Sequence, residues 1–195
     1  DIGSLIRLPD HGATLEEIAA SRGETFYRGK LAEQIVRDSV LHGGALTLAD
    51  LANHRADWVA PISQSFLDVA LHEIPPNGQG IMALIAWGIA AELGLDRYPL
   101  DGADSVHLQI EATRIAYAEI ERHLADIDHM RVPAEALLEP AYLRRRADEV
   151  NIRRANPAPL ATPVSPDTVY LTTADSSGMM VSMIQSNYRG FGSGI

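Results

Sequence analysis

The sequence predicts an α+β fold that is mainly helical up to residue 155 and then forms a β-hairpin. Apolar residues recur at helical spacing in several segments of the first 150 residues, and a Pro- and Ala-rich stretch at 156–167 has no periodicity. Residues 168–186 instead alternate in a strand-like way on both sides of a turn. With 195 residues, 46% of them hydrophobic, the chain can bury a sizeable core.

Helices are expected first. Thr14 can N-cap a first helix that runs to Ala20 and is stopped by Gly23. A clearer helix should begin after Gly29 and end at the glycine pair 43–44, because apolar residues lie between them at helical spacing. Residues 47–51 predict a short capped helix.

The middle of the chain predicts one strand and one buried helix. Residues 62–74 alternate partly, which favours a strand that ends at the turn residues 75–78. Residues 81–93 are apolar on nearly all sides, as in a helix buried between layers. This longest apolar stretch is too short to cross a bilayer, so we expect no transmembrane segment.

A long amphipathic helix is expected over residues 104–126, and shorter ones should start at Pro133 and Pro140. The apolar stripe of the long helix is predicted to consist of Val106, Ile110, Tyr117, Ile120 and Leu124. Its polar face is predicted to consist of Glu111, Arg114, Glu121 and Arg122. The 168–195 segment then supplies the late strands.

Composition excludes several classes of function. The formal net charge of −10 argues against nucleic acid as a partner, because binding to phosphate backbones needs basic surface. The absence of cysteine excludes thiol catalysis, thiolate metal sites and disulfides. It leaves the compartment open, so cytoplasmic, periplasmic and secreted locations all remain possible. Since the sequence opens on Asp1, we expect that the natural start is missing or processed and that the chain is a fragment.

Thr168 is the candidate catalytic residue. It follows the 156–167 linker and opens the hairpin. A threonine hydroxyl is a poor nucleophile without a neighbouring base, and a newly exposed α-amine on the same residue can be that base. By residue type alone, a threonine at the start of a strand is usually structural.

Four ordered segments carry a resemblance to a known family. They are FYRG at 26–29 followed by LAEQI, GGALTLADL at 43–51, PPNGQG at 75–80, and AYA at 116–118 followed by VP and LL before the linker. Taken together, they make the chain similar to the γ-glutamyltranspeptidases, a branch of the N-terminal-nucleophile hydrolases, over almost its whole length.

This resemblance implies an αββα sandwich and an inactive precursor that cuts the peptide bond between Asp167 and Thr168. Residues 1–155 would then belong to the large subunit, 156–167 would be the processing linker, and 168–195 would begin the small subunit. The new α-amine would act as the base, since an α-amine has a reference pKa of about 7.7 to 8.0. The acyl group of a γ-glutamyl donor would pass to the hydroxyl and then to water or an amine.

The resemblance also assigns supporting residues. Ser186 would orient Thr168 through a hydrogen bond, and Asn187 and Tyr188 would contact the substrate. Many family members carry Asn at the position of Tyr188, and Val169 replaces the second Thr of the usual pair. These departures count against glutathione-type recognition. The resemblance implies no cofactor and no metal, and its partners are a small acyl substrate and the rest of its own precursor, without which the fragment is expected to be inactive.

Several alternatives stay open. A cephalosporin or glutaryl acylase, or an enzyme that processes poly-γ-glutamate, would keep the nucleophile and change the substrate, whereas a non-catalytic binding module would keep only the fold. His123, Asp126, Asp128 and His129 could in principle hold a divalent metal, but without a tight ligand motif a loop is favoured. The arginines at 144–146 could steer an anion, although a solvated helix face is favoured.

Overall fold

The computed structural model describes residues 3–5, 7–156 and 168–186. The chain folds as two compact units, residues 1–60 and residues 61–195. No helix in the described ranges is both long and apolar enough to span a bilayer. The subunit boundaries implied by the resemblance stay a prediction.

The first unit is helical. Its elements are α1 (Pro9–Ala20), α2 (Glu24–Arg28), α3 (Lys30–Leu41) and α4 (Leu48–Asn53). The start predicted for α1 was wrong: the helix begins at Pro9, because the fixed φ of proline suits the first turn, and Thr14 lies inside it. Helix α2 was not predicted, since five residues between two glycines are too few to show a periodicity.

The family-like motifs of this unit have local structural reasons. A Cβ on Gly29, which precedes α3, would lie 2.9 Å from the Cα of Thr25, so the backbone passes too close for a side chain. The predicted cap of α4 is confirmed, because Thr47 Oγ1 accepts from the Asp50 N–H and the Asp50 carboxylate accepts from the Thr47 N–H. The Thr47 hydroxyl also donates to the Asp50 carboxylate at 2.7 Å, and this bond, followed by the one from the Thr47 N–H, lowers the pKa of Asp50.

The second unit combines helices with two antiparallel hairpins. Its strands are β1 (Ile62–Phe66), β2 (Val69–Glu73), β3 (Thr168–Ala174) and β4 (Met180–Ser186). Its helices are α5 (Gly80–Glu92), α6 (Ala103–His123), α7 (Ala134–Leu137) and α8 (Pro140–Ala147). Two 3-10 helices, Leu95–Arg97 and Ile127–His129, flank α6.

The single strand predicted over residues 62–74 was wrong, because the segment forms a hairpin. Phe66 pairs with Val69 across a turn of two residues, Leu67 and Asp68. Leu67 has a φ of 54°. This conformation is uncommon for a residue with a side chain. Because the turn contains neither glycine nor proline, the sequence contained no signal for it.

The core of the second unit lies around α5. The prediction that this helix is buried is confirmed, since Ile81, Leu84, Ile85 and Ile89 are each 0% exposed. The helix contacts α6, α8 and β1. Gly88 lies against Leu143 of α8, where a Cβ on the glycine would be 2.5 Å from Leu143 Cδ1.

The prediction of which face of α6 is buried was largely wrong. Val106, Ile110 and Tyr117 are 45%, 52% and 44% exposed, and of the predicted stripe only Ile120 is fully buried. The buried side of the helix is formed by Ser105, Leu108, Glu111, Ala112, Ile115, Ala116, Glu119 and Ile120. The small residues on this side allow α5 to approach closely. The prediction had instead placed the large apolar residues on the buried side.

Candidate functional site

The β-hairpin predicted after the linker is present in the structure. Strands β3 and β4 are antiparallel, and their backbone register pairs Thr168 with Ser186 and Ala174 with Met180. Thr168 is the first residue of β3 and Ser186 is the last residue of β4. The two residues that the resemblance assigns to nucleophile and partner are therefore directly opposite each other in the backbone.

The turn of this hairpin fixes the register. The Asp175 carboxylate accepts hydrogen bonds from the N–H groups of Ser177 at 2.8 Å and Met179 at 3.2 Å, and also from the Ser177 hydroxyl. These bonds, led by the one from the Ser177 hydroxyl, hold the pKa of Asp175 below its usual value. Gly178 adopts a φ of 86°, which glycine permits without strain. A slip of one residue would break this set of bonds and would separate Thr168 from Ser186.

Both faces of the hairpin are apolar. Val169 and Leu171 alternate with Tyr170, and Met183 alternates with Ile184, so each face carries large side chains. All five are at least 45% exposed. Strands that are apolar on both faces are typical of sheets covered on both sides, as in a layered sandwich.

The other residues assigned to the site, Asp167, Asn187 and Tyr188, lie outside the described residues, as do most of the 156–167 linker and the run from Gly190 to Gly194. Two clusters were considered above, residues 123–129 for a metal and the arginines 144–146 for an anion. Residues of both clusters have partners within the fold. Asp126 caps the 3-10 helix Ile127–His129 by accepting from the Asp128 N–H at 3.1 Å. Of the arginines of α8, Arg144 and Arg146 make ion pairs, and Arg144 Nε lies 2.9 Å from Glu92 Oε2. Arg145 lies over the Tyr142 ring, 5.3 Å from its centroid.

A buried carboxylate that the sequence analysis missed lies beside the start of the linker. Glu111 is 1% exposed. Its Oε1 accepts from Arg114 Nη1 at 3.1 Å, and its Oε2 accepts from the backbone N–H of Asn156 at 3.0 Å. The signal that could have revealed it was the pair Ala112 and Ala116, which marks the closely packed side of α6.

A second buried carboxylate, Glu119, connects α6 to α8. It accepts hydrogen bonds from the Tyr142 hydroxyl and from Arg146 Nη1, the latter at 3.2 Å, and its Oε2 lies 3.5 Å from His123 Nε2. Partial burial of the Tyr142 ring, followed by the bond to Glu119, raises the pKa of Tyr142 to about 12.

A cavity of about 320 Å³ lies beside Glu119, between α6, α8 and the residues that follow α8. It is lined by Arg114, Ile115, Ala118, Glu119, Arg146, Glu149 and Asn156. Arg146 also pairs with Glu149 at 3.0 Å. Each charged side chain that lines the cavity thus has an oppositely charged partner: Arg114 pairs with Glu111, and Arg146 pairs with both Glu119 and Glu149.

The chain is similar to known proteins over most of its length. It is 36% identical over 194 residues to an oxamate amidohydrolase proenzyme of Klebsiella pneumoniae, which covers 99% of this chain and 36% of that protein. It is 31% identical over 189 residues to a glutathione hydrolase proenzyme of Escherichia coli, with 93% of this chain and 33% of that protein covered. The chain thus spans about a third of the length of the curated relatives it matches.

Solved structures of related enzymes are also similar to this chain. A cephalosporin acylase from Bacillus halodurans has a TM-score of 0.81 at 42% identity, with 100% of this chain and 35% of that chain covered. A gamma-glutamyltranspeptidase from Pseudomonas nitroreducens, complexed with L-DON, has a TM-score of 0.67 at 28% identity, with 79% and 47% covered. These matches confirm the expected α+β fold of the N-terminal-nucleophile hydrolase type.

The gamma-glutamyltranspeptidase family matches residues 1–195. The resemblance carried by the FYRG, GGALTLADL and PPNGQG segments is thereby confirmed along the whole sequence. The chain belongs to the gamma-glutamyltranspeptidase family.

Proposed function

We propose that the full-length protein is an amide hydrolase or acyltransferase whose nucleophile is Thr168, released when the precursor cuts itself between Asp167 and Thr168. The observation that carries this proposal is the hairpin register, which sets Thr168 opposite Ser186 at the open end of β3 and β4. The relatives support it as well, because the curated ones named above are proenzymes.

The self-cleavage needs no external reagent except water. The Thr168 hydroxyl oxygen attacks the carbonyl carbon of Asp167, the peptide C–N bond breaks, and the freed nitrogen takes up the hydroxyl proton. Water then hydrolyses the resulting ester, which leaves a carboxylic acid on Asp167 and a free hydroxyl and α-amine on Thr168. Residues 1–155 would stay with the large subunit, 156–167 would form its end, and 168–195 would begin the small subunit.

Catalysis by the mature enzyme would use the same hydroxyl. The α-amine accepts the hydroxyl proton while the oxygen attacks the substrate carbonyl, and the acyl group becomes an ester on Thr168. The amine of the substrate leaves with a proton, and water or an acceptor amine then releases the acyl group. In this scheme Ser186 orients Thr168, Asn187 and Tyr188 contact the substrate, and the rest of the precursor completes the site.

The first substrate candidate is a γ-glutamyl amide, which fits the family and a glutathione hydrolase relative. An acylase acting on a cephalosporin or glutaryl amide is the second, favoured by the 42% identity to the cephalosporin acylase against 28% to the transpeptidase structure. Processing of poly-γ-glutamate is a further alternative that keeps the nucleophile and changes the substrate. Release of p-nitroaniline from γ-glutamyl-p-nitroanilide, measured beside hydrolysis of a glutaryl-linked β-lactam, separates the two classes by their kcat/KM.

The test of the nucleophile is a comparison of variants of the full-length protein. The wild type should separate into two fragments, whereas Thr168→Ala should stay intact and lack activity, because alanine has no hydroxyl to attack either carbonyl. Thr173→Ala is the matched control, since Thr173 lies in the same strand, and it should process like the wild type. An intact wild type that behaves like Thr168→Ala would favour the non-catalytic binding module and overturn the proposal.

A further inference from the structure

Helix α6 has a second apolar side, which lies away from the core of the second unit. It consists of Val106, Ile110, Thr113 and Tyr117, which we call the outer stripe. At about 100° per residue, these four positions lie opposite the buried Ile115. A helix with two opposite apolar sides is typical of a position between two layers, whereas a helix at the surface carries one apolar side.

In the part of the chain that the structure describes, the outer stripe is uncovered. Val106, Ile110 and Tyr117 are 45%, 52% and 44% exposed. Thr113 adds no unpaired hydroxyl hydrogen, because it donates to the backbone oxygen of Gln109 at 2.8 Å. The stripe is therefore an uncharged, mainly apolar surface that extends over about three helical turns, or about 16 Å.

The spacing of the outer stripe indicates a helix as its partner. Successive members are four, three and four residues apart. Steps of three and four residues form the seam along which one helix packs on another, with their axes about 8 to 10 Å apart. The partner should carry no charge opposite Ile110, because burying an unpaired charge is costly.

The size of the outer stripe favours a partner from the same polypeptide. Stable interfaces between separate molecules use about 20 to 30 residues a side, and the stripe supplies four. A small contact suffices within one polypeptide, because the connection keeps both surfaces at a high effective concentration. The chain covers 35% of the acylase structure that it matches along its whole length, so a protein of that size has about two thirds of its residues outside this sequence.

We propose that the outer stripe is the packing surface for a helix of the full-length protein that lies outside these 195 residues. Helix α6 then lies between α5 on one side and this partner helix on the other. The inference goes beyond the proposed function and does not rest on it, because it concerns what covers α6 and not the reaction at Thr168.

Cysteine substitutions measure whether the outer stripe is covered, and the sequence contains no cysteine of its own. Ile110→Cys and Tyr117→Cys place a thiol in the stripe, and Ala118→Cys, exposed on another side of the same helix, is the matched control. Each native full-length variant reacts with a maleimide, and the reaction is followed by mass on the peptide that carries the new cysteine. The stripe cysteines should react about tenfold more slowly than the control or slower still, and all three should react equally fast in urea.

A photocrosslinking side chain identifies the partner. Replacing Tyr117 by p-benzoylphenylalanine keeps an aromatic ring in the stripe, and the same replacement at Ile110 is the second variant. On illumination of the full-length protein, each should join α6 to a peptide from outside residues 1–195. The cross-linked product should have the mass of one copy of the protein.

Each measurement has a result that overturns the proposal. Stripe cysteines that react as fast as the Ala118→Cys control would show that the stripe faces solvent. Cross-links to a second copy, cross-links to a peptide within residues 1–195, or none from either position would show that no helix of the remaining protein covers it. Neither measurement needs the cut before Thr168, so failure of the proposed function would leave both results interpretable.

Discussion

At the scale of single residues, buried carboxylates and their donors connect α6 to the chain that follows it. Glu111 and Glu119 are 1% and 3% exposed, yet each accepts hydrogen bonds from more than one side chain or backbone group. Removing one partner of a buried charge costs more than the pair gains by forming, since the remaining charge is left without solvent. These contacts are therefore sensitive points of the second unit.

The contact of Tyr142 with Glu119 should make stability depend on pH in the alkaline range. The hydroxyl donates to a carboxylate, and hydrogen bonds to charged groups contribute about 1.5 to 3 kcal/mol. At neutral pH, Tyr142→Phe should lower the free energy of unfolding by about 1.5 kcal/mol, at the low end of this range because the ring is partly exposed.

The sign of the pH effect follows from the pKa. Folding raises the pKa of Tyr142 from 10.0 to about 12, so the folded state favours the protonated phenol. Its contribution is complete below pH 10 and is lost as pH rises towards 12. The test compares the Thr168→Ala protein, which cannot be cut, with the Thr168→Ala, Tyr142→Phe double variant. In urea, the difference between their free energies of unfolding should shrink as pH rises over this window. A constant difference would contradict the assignment.

Some residues of the candidate site could be identified from the sequence, and others could not. Thr168 and Ser186 could be named from the resemblance, and alternation on both sides of the Asp175 turn was enough to bring them opposite each other. Glu111 could not be found this way, because helical periodicity counts a glutamate as polar and places it outside. Its ion pair with Arg114 and its hydrogen bond from Asn156, far along the chain, stabilise the buried charge.

At the scale of elements, α5 and α8 pack through a glycine. A Cβ on Gly88 would lie 2.5 and 3.2 Å from the two Cδ atoms of Leu143, and 3.3 Å from Gln64 Cδ. Leu143 is 1% exposed, so it has little space into which it could move. The short side chain at position 88 is what permits this contact.

Gly88→Ala should therefore destabilise the protein despite the better helix propensity of alanine. Overpacking costs about 1 to 3 kcal/mol and the gain in propensity is about 1 kcal/mol, so a net loss of about 1 kcal/mol, and at most about 2 kcal/mol, is expected. Gly12→Ala is the control, since Gly12 lies within α1 and a Cβ there would meet no atom within 4 Å. Urea unfolding should show a gain of up to about 1 kcal/mol for Gly12→Ala; a gain for Gly88→Ala would contradict the packing.

The elements that could be predicted are those with a strong local signal. Helix α3 and helix α5 have clear apolar patterns, and α4 has a capping Thr47 with Asp50 three residues later. The turn at Leu67 has no such signal, and the exposed side chains of α6 gave a misleading one. In both cases the packing of neighbouring elements, which periodicity does not include, decided the structure.

At the scale of the whole molecule, the family of the chain and the hairpin of β3 and β4 support the same proposed processing event. The chain belongs to the gamma-glutamyltranspeptidase family over residues 1–195 and carries a net charge of −10. It spans about a third of the length of its curated relatives, so the activity we propose is that of the full-length protein. Within the chain, the hairpin of β3 and β4 supplies the proposed nucleophile, Thr168.

The most direct test of this account is the mass of the new N-terminus. Full-length protein, purified and left to mature, should yield a fragment whose terminal peptide begins Thr-Val-Tyr-Leu, with the other fragment ending at Asp167. The Thr168→Ala protein, treated in the same way, should yield neither. A mature wild type that is active with no terminus at Thr168, or one cut elsewhere in the chain, would contradict the central claim.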